Sequence, residues 1–265
     1  MNMAAAKPVD VRLMNMSAAV LLSFFAALAL ISAARWVARW RAFDIQAITV
    51  AGDTRHSNSA TLRANVAPRI AGTFFSIDLA RARSAFEAVP WVRHAVVMRE
   101  FPNRLRVVLQ EHQAVALWGG EGEQRLINSY GEIFEANVGE VDQENMATLN
   151  GPEGSGAEVL SMYRALQPMF AAMEMQLESL TLSGRGSWSV RLQNGASIEL
   201  GRGTQDEVHA RTRRLLKTLT QVVTRYGRLT DAVESADLRH QNGYAIRLRG
   251  VSTDVASASD KKTTH

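Results

Sequence analysis

The chain has 265 residues, of which 46% are apolar, with no cysteine and a formal net charge of +4. The absence of cysteine excludes disulfide frameworks, thiol catalysis and thiolate metal sites. Residues 1–42 hold five basic residues and one acidic residue, whereas the remainder holds 25 of each. The net positive charge therefore lies in the N-terminal region, as expected where arginines meet anionic lipid headgroups. No motif of basic and aromatic residues indicates nucleic-acid binding.

An uncharged apolar stretch covers residues 13–34 and predicts a transmembrane helix of about 33 Å. A cleaved signal peptide is the alternative, because Ser32, Ala33 and Ala34 resemble a cleavage site. The length of the stretch and the closely following Trp36 and Trp40 favour an uncleaved anchor with aromatic residues at the membrane boundary.

The charges around this anchor leave its orientation open. Lys7 and Arg12 precede it, and Arg35, Arg39 and Arg41 follow it. The count mildly favours a cytoplasmic location for the large C-terminal part.

Residues 43–112 predict a small α+β domain with the order strand, helix, helix, strand, strand. The first strand covers 45–50, and a helix that starts near residue 58 ends at Pro68. The second helix begins near Asp78 and stops at Pro90. Two alternating strands joined by a turn at 101–103 form a hairpin.

The amino-acid sequence of this hairpin resembles that of the polypeptide-transport-associated (POTRA) domain of the FtsQ/DivIB family of bacterial division proteins. The similarity lies in PWVRHAVVMREFPNRL (90–105) and in EHQAVALW (111–118), where Ala114 replaces the usual proline. Later matches are LINSYGEIF (126–134), LNGPEGS (149–155) and ADLRHQNGYAI (236–246), with Asn128 for a common aspartate and His240 for a tyrosine. Five motifs in the family's order make the resemblance specific.

Residues 113–251 predict a β-rich second domain with helices packed on its sheet. Asn194 and Gly195 predict a type I′ hairpin turn, and Thr204 with Glu207 predicts a capping box. The following helix is predicted to bury a stripe of four residues, namely Leu215, Leu219, Val222 and Tyr226. The polar tail 252–265 is predicted to be disordered.

No pattern in the chain predicts an enzyme, a metal site or a cofactor. The six histidines lack metal-ligand spacing, and no GxSxG motif occurs. The loop 201–204 precedes a helix but lacks the lysine of a phosphate-binding loop. Nothing places two of the acids between 132 and 144 on facing elements, as a glycosidase requires.

The last strand, 244–249, alternates Tyr244, Ile246 and Leu248 with Ala245, Arg247 and Arg249. If it ends the sheet, an extended partner segment can add to it as another strand. An ordinary barrel-closing strand is the alternative.

The resemblance implies a non-enzymatic scaffold of the cell division machinery (the divisome). It implies a cytoplasmic tail (1–12), one helix in the inner membrane and periplasmic domains at the midcell septum. The implied partners are FtsB and FtsL, with FtsK, FtsW and FtsI, and no small-molecule substrate. A signal-anchored periplasmic cell-wall enzyme and a POTRA-bearing secretion or assembly component are the alternatives. The expected FtsB-binding residues lie at the C-terminal hairpin, the last strand and the preceding helix: Asp237, Arg239, His240, Gly243, Tyr244, Ile246, Arg211 and Arg214.

Overall fold

The computed structural model describes residues 9–38, 40–70, 72–120, 122, 125–240 and 243–251, with residues 9–12 and 59 described by backbone only. The predicted tail 252–265 and residues 1–8 of the predicted N-terminal tail lie outside the described residues. The chain divides into two compact units, Met1–Glu111 and His112–His265.

The first unit begins with helix α1, Val9–Ala38. Thirty residues at 1.5 Å rise give a helix about 45 Å long. In the part of the chain that the structure describes, Leu13–Ala38 is the one helical stretch long and apolar enough to cross a membrane, and none of its most apolar window is buried in protein. The helix therefore continues four residues beyond the predicted end at residue 34.

The rest of this unit is a three-stranded sheet with two helices, in the predicted order. Its elements are β1 (Ala47–Gly52), α2 (Ser59–Val66), α3 (Leu79–Glu87), β2 (Val92–Glu100) and β3 (Arg104–Glu111). The strand order is β1-β3-β2, with β1 parallel and β2 antiparallel to β3. Side-chain oxygens of Asn58 and Asp78 cap the two helices, and a 3-10 turn containing Pro68 follows α2.

Glu111, at the end of β3, is a buried acid that fixes the loop before α2. Its carboxylate accepts hydrogen bonds from the backbone N–H groups of Ser57 at 2.7 Å and of His56 at 3.0 Å. The His56 ring stacks on Trp91, with the ring centroids 3.9 Å apart. Burial alone would raise the pKa of Glu111, but the hydrogen bonds from Ser57 and His56 outweigh it and hold that pKa below the ordinary value.

The second unit is built on a nine-stranded sheet with the order β12-β11-β10-β9-β8-β7-β4-β5-β6. Its elements in chain order are β4 (Ala114–Trp118), β5 (Arg125–Asn128), β6 (Ile133–Phe134), β7 (Thr148–Asn150), α4 (Gly156–Ala171), β8 (Leu177–Leu182), β9 (Ser187–Leu192), β10 (Ser197–Arg202), α5 (Gln205–Arg225), β11 (Val233–Asp237) and β12 (Ala245–Leu248). The sheet is open, with β12 at one edge and β6 at the other, so the predicted β-rich domain does not close as a barrel among the described strands.

Helices α4 and α5 are crossover connections between parallel strands. Helix α4 joins β7 to β8, and α5 joins β10 to β11. A hydrogen bond from Ser161 to Gln205 at 3.0 Å links the two helices. Their apolar residues share one core with the inward-facing side chains of the sheet, including the fully buried Trp188 and Phe170.

Helix α5 begins with the predicted capping box, because Thr204 and Glu207 exchange side-chain-to-backbone hydrogen bonds. Its buried stripe contains Leu215 and Leu219 as predicted but continues to Val223. The predicted Val222 is half-buried and Tyr226 is exposed. A step of four residues from Leu219 keeps the stripe over the sheet, whereas the predicted step of three turns away from it.

The β9–β10 turn at Asn194 and Gly195 exists but is not type I′. Among the described residues other than glycine, only Glu174 has a positive φ, whereas a type I′ turn requires one at both central positions. Gly195 has φ +83° and donates its N–H to the Leu192 carbonyl at 2.8 Å. The connection is therefore a three-residue loop, with glycine in the left-handed position that follows a turn.

Candidate partner-binding edge

Strand β12 lies at the edge of the nine-stranded sheet and pairs with β11 on one side only. In the antiparallel register, Ala245 faces Asp237 and Ile246 faces Ala236. No described strand pairs with its other side, so a row of backbone donors and acceptors there is open to another extended chain.

The two faces of β12 follow the predicted alternation. Leu248 is buried in the helix-facing core, and Tyr244 and Ile246 pack against that core while half-buried. Ala245 and Arg247 are exposed on the opposite face. A segment that pairs with β12 would therefore continue an existing core on one face and meet polar groups on the other.

Tyr244 ties the start of β12 to helix α5. Its hydroxyl oxygen lies 2.6 Å from Oγ1 of Thr218. The Thr218 hydroxyl also lies 3.0 Å from the Arg214 carbonyl, to which it donates its one hydrogen, so it accepts from Tyr244. This contact fixes the edge strand against the helix and leaves part of the Tyr244 ring accessible.

Asp237 and Arg239 form an ion pair just beyond the end of β11. The guanidinium Nη2 lies 2.6 Å from one carboxylate oxygen, Nε lies 2.9 Å from the other, and the Arg239 backbone N–H also donates to Asp237 at 3.0 Å. Hydrogen bonds from the Arg239 side chain and backbone lower the pKa of Asp237 to about 2. The pair is therefore fully ionised at any physiological pH.

A glycine on the neighbouring strand leaves room for the Arg239 side chain. A Cβ added to Gly201 would lie 3.0 Å from Cγ of Arg239, and Gly201 has φ +79°. The stem of Arg239 thus crosses β10 at a position where a larger residue would be both crowded and strained. The Arg239 side chain as a whole remains 61% exposed.

The two arginines predicted on α5 occupy different environments. Arg211 is half-buried, and its Nη2 donates to the carbonyl of Arg202 at the end of β10. It therefore fixes the turn between β10 and α5. Arg214 is exposed on α5, one turn before Thr218. Of the two, Arg214 is the one whose side chain is accessible to a partner.

His240 and Gly243 lie in the connection between β11 and β12, on either side of residues 241 and 242. His240 is exposed and Gly243 is half-buried. All eight predicted residues thus lie on β11, β12, their connection or α5, although Arg211 is turned toward the protein itself.

The sequence did not predict a shallow depression on the solvent-facing side of this edge. Its volume is about 240 Å³. The depression is lined by residues of the last three strands, namely Ser197, Glu199, Ser235, Ala236, Asp237, Ala245, Ile246 and Arg247. Arg247 pairs with Glu234 at 3.4 Å, and the Leu238 N–H donates to the Glu199 carbonyl at 2.8 Å. The sequence feature that could have indicated the depression is the presence of small serine and alanine side chains at alternate positions of these strands.

Another cavity lies in the first unit, between edge strand β1 and helix α2. It has a volume of about 770 Å³, and apolar residues such as Ile48, Val50, Leu62 and Val66 line it. Among the described residues that line it, Arg63 is the one with a charged side chain. The first unit thus also has an edge strand next to an apolar groove.

No group of three or more His, Asp or Glu residues is arranged to hold a metal ion within the described ranges. Both folded units match known family models. Residues 43–112 match the family model "POTRA domain, FtsQ-type", and residues 116–239 match "Cell division protein FtsQ/DivIB, C-terminal".

Curated relatives align with most of the chain. The chain is 40% identical to the cell division protein FtsQ of Burkholderia pseudomallei over 91% of its own length and 94% of that protein. It is 36% identical to the FtsQ of Thiomonas arsenitoxydans, covering 97% and 94%, and 36% identical to that of Bordetella pertussis, covering 96% and 97%. The chain therefore belongs to the FtsQ/DivIB family of bacterial cell division proteins and carries an FtsQ-type POTRA domain.

Proposed function

We propose that the chain is a non-catalytic, single-pass scaffold of the divisome that binds an FtsB–FtsL complex by strand addition to β12. The observation that carries the proposal is the open edge of β12, next to the Asp237–Arg239 pair and the half-buried Ile246. Backbone pairing would supply affinity, and the alternating side-chain contacts would supply register and specificity. The binding residues are the eight predicted above, with Arg211 acting by fixing the β10–α5 turn.

The charges at this edge favour a partner segment with acidic residues. Segment 202–249 holds ten basic and five acidic residues. Arg239 and Arg247 are both paired within the chain, yet each side chain is more than half exposed, so an incoming carboxylate can reach it without breaking the existing pair.

Contacts with FtsK, FtsW and FtsI are proposed for the POTRA domain and the anchor. The apolar cavity beside β1 supports a role for the POTRA domain, because an edge strand next to an apolar groove is a common site for an extended segment. In this proposal the N terminus is cytoplasmic, and both folded domains lie in the periplasm at the septum.

Hydrogen exchange of the full chain in nanodiscs tests the strand addition directly. Adding the FtsB–FtsL complex is expected to slow exchange of amides in residues 243–249. Strand β6, the opposite edge of the same sheet, is the internal control and should not change. Unchanged exchange in β12 under conditions of measurable binding would show that the partner uses another surface.

Depletion in the native host tests the wider role. Filamentous cells with unconstricted septa are expected, whereas normal division would contradict a scaffold function. Release of soluble fragments from purified peptidoglycan by the full chain would instead support the alternative of a cell-wall enzyme.

A further inference from the structure

The β2–β3 turn lies at the end of the POTRA sheet where the chain arrives from α1. Strands β1 and β3 are parallel, so the start of β1 and the start of β3 lie at the same end. The N–H of Gln46, just before β1, donates to the Asn103 carbonyl in this turn at 3.0 Å. Phe101 at the tip of the turn is therefore on the anchor side of the domain.

A loop between α2 and α3 connects this end of the sheet to the last turn of α1. The Thr73 hydroxyl donates to the carbonyl of Ala38 at 2.6 Å, and the Phe74 N–H donates to the carbonyl of Phe43 at 2.7 Å. From the other side, Arg99 on β2 donates to the carbonyls of Phe74 at 2.7 Å and Ile77 at 2.8 Å. The loop is thus held at the end of α1 from two directions.

Four phenylalanines at this end form a continuous cluster. Ring centroids lie 4.9 Å apart for Phe43 and Phe75, 5.2 Å for Phe74 and Phe75, and 6.0 Å for Phe74 and Phe101, each pair in an edge-on arrangement. Phe75 is nevertheless 51% exposed and Phe101 74% exposed. We call Phe43, Phe74, Phe75 and Phe101 the aromatic platform.

Two tryptophans lie at the C-terminal end of the anchor, Trp36 in the last turns of α1 and Trp40 just after it. Trp36 and Trp40 stack with their centroids 5.4 Å apart, and both are more than half exposed. A ring cluster of this size that belonged to a protein core would be buried, so its exposure calls for an apolar or interfacial environment. Aromatic side chains concentrate at the membrane–water boundary for the same reason.

The length of α1 sets the depth of the platform. A helix about 45 Å long matches the full thickness of a bilayer including its headgroups. Ala38, the last helical residue, then lies at the headgroup layer, and the loop hydrogen-bonded to it lies at the same depth. Charged residues around the platform are Arg35, Arg41, Arg99 and Arg104 with Asp44 and Glu100, a net positive set that suits anionic headgroups.

We propose that the aromatic platform docks into the headgroup and upper acyl region of the membrane that α1 crosses, so that the POTRA domain is held at the membrane surface by a second, non-covalent contact. This inference goes beyond the proposed function. It depends on the insertion of α1, and neither on its orientation nor on any division partner.

The cysteine-free sequence allows a direct test in liposomes. The full-length F101C variant, labelled with an environment-sensitive nitrobenzoxadiazole dye, is compared with the labelled R55C variant. Arg55 lies at the opposite end of β1, about 20 Å along the strand, and its side chain is 85% exposed. The dye at position 101 is expected to emit at shorter wavelength and to lose several-fold more intensity to lipids carrying a nitroxide near the headgroup.

Two outcomes would overturn the proposal. Equal quenching at positions 101 and 55 would show that the platform does not reach the membrane. A blue shift at position 101 without quenching by nitroxide lipids would show that the rings contact protein instead. Adding Phe75→Ser to F101C provides a second measurement, because loss of a neighbouring ring should reduce the lipid quenching while circular dichroism stays unchanged.

Discussion

At the scale of single residues, the pair Asp237–Arg239 determines which charge the edge presents. The Asp237 side chain is 26% exposed, whereas the Arg239 side chain is 61% exposed and so is accessible from solvent. The Asp237 carboxylate holds Arg239 in place by accepting hydrogen bonds from both the backbone N–H and the guanidinium of Arg239. In the proposed complex, a partner carboxylate would therefore meet a positioned cation and would not have to order a flexible one.

The variant Arg239→Glu is expected to abolish binding of the FtsB–FtsL complex while the domain stays folded. It replaces the exposed cation with a second acid beside Asp237, so an acidic partner segment is repelled. Calorimetry on the full chain gives the affinity, and circular dichroism checks the fold. Arg185→Glu, in the exposed β8–β9 turn, is the control with the same charge change. Unchanged affinity for Arg239→Glu would remove this residue from the site.

Glu111 is expected to make the stability of the POTRA domain depend on pH in acid. Its pKa in the folded state is lower than the ordinary value of 4.5, so its stabilising contribution is complete above that value. The contribution is lost as the pH falls through the lower folded-state pKa. Glu111→Gln should destabilise the domain by about 1.5–3 kcal/mol at neutral pH, as for hydrogen bonds to a charged group.

Urea unfolding of both proteins between pH 7 and pH 3 measures this effect, with hydrogen exchange of residues 43–111 separating this domain from the other. The Glu111→Gln variant should lose the pH-dependent part of the stability and approach the parent protein in acid. Parallel curves over the whole range would indicate that Glu111 does not titrate with folding.

At the scale of elements, α5 supports the three strands that form the proposed binding edge. It follows β10 through a short turn, packs its stripe from Val208 to Val223 into the core, and meets Tyr244 through Thr218. The capping box and the contact from Arg211 to Arg202 hold its first turn at the end of β10. A substitution at the start of α5 should therefore affect the edge strand β12 even though the substituted residue does not contact that strand.

Thr204→Ala is expected to lower the free energy of unfolding by about 1 kcal/mol, because the side chain that accepts the Glu207 N–H is lost. Thr204→Ser keeps that acceptor and should cost only a small fraction of this. Urea denaturation followed by circular dichroism provides the measurement. Equal losses for alanine and serine would mean that the threonine methyl group, and not the cap, carries the effect.

Local signals in the sequence predicted most elements of the chain. The capping box at Thr204, the stop at Pro90 and the alternation of β12 are all confirmed, because each depends on a few neighbouring residues. The turn at Asn194 was assigned the wrong type, because the same Asn-Gly pair fits a two-residue and a three-residue loop.

The strand order was beyond local reasoning. In the sheet β4 lies next to β7 and β10 next to β11, and these pairs bring together residues separated by long connections. The depression at Ser197 and Ser235 exists only through the second pairing. The open edge itself could therefore be proposed from sequence, whereas the surface beside it could not.

At the scale of the whole molecule, the described residues form two units, of which the first begins with an apolar helix, in a chain without cysteine. Such a chain folds without oxidation in any compartment. The charges near the anchor do not decide its orientation, because Arg35 and Arg41 can extend to headgroups on either side. The periplasmic location of residues 43–251 rests on the family resemblance and is open to a direct test.

Proteinase added to spheroplasts is expected to degrade the C-terminal units, whereas the same chain in intact cells should be protected by the outer membrane. The physical reason is that a protease cannot cross the inner membrane. A periplasmic marker and a cytoplasmic marker in the same samples control for access and lysis. Protection of residues 43–251 in spheroplasts would reverse the proposed topology.

The parallel pairing of β11 with β10 has a consequence for the order of synthesis. Helix α5 lies between these strands, so β11 and then β12 can join the sheet only after the whole crossover has left the ribosome. Until β11 has paired with it, β10 is the edge strand on that side of the sheet, and the backbone groups of Ser197 and Glu199 have no partner strand there. Strand β12 is therefore the last of the described strands to join the sheet, and the proposed docking edge exists only once the crossover has folded.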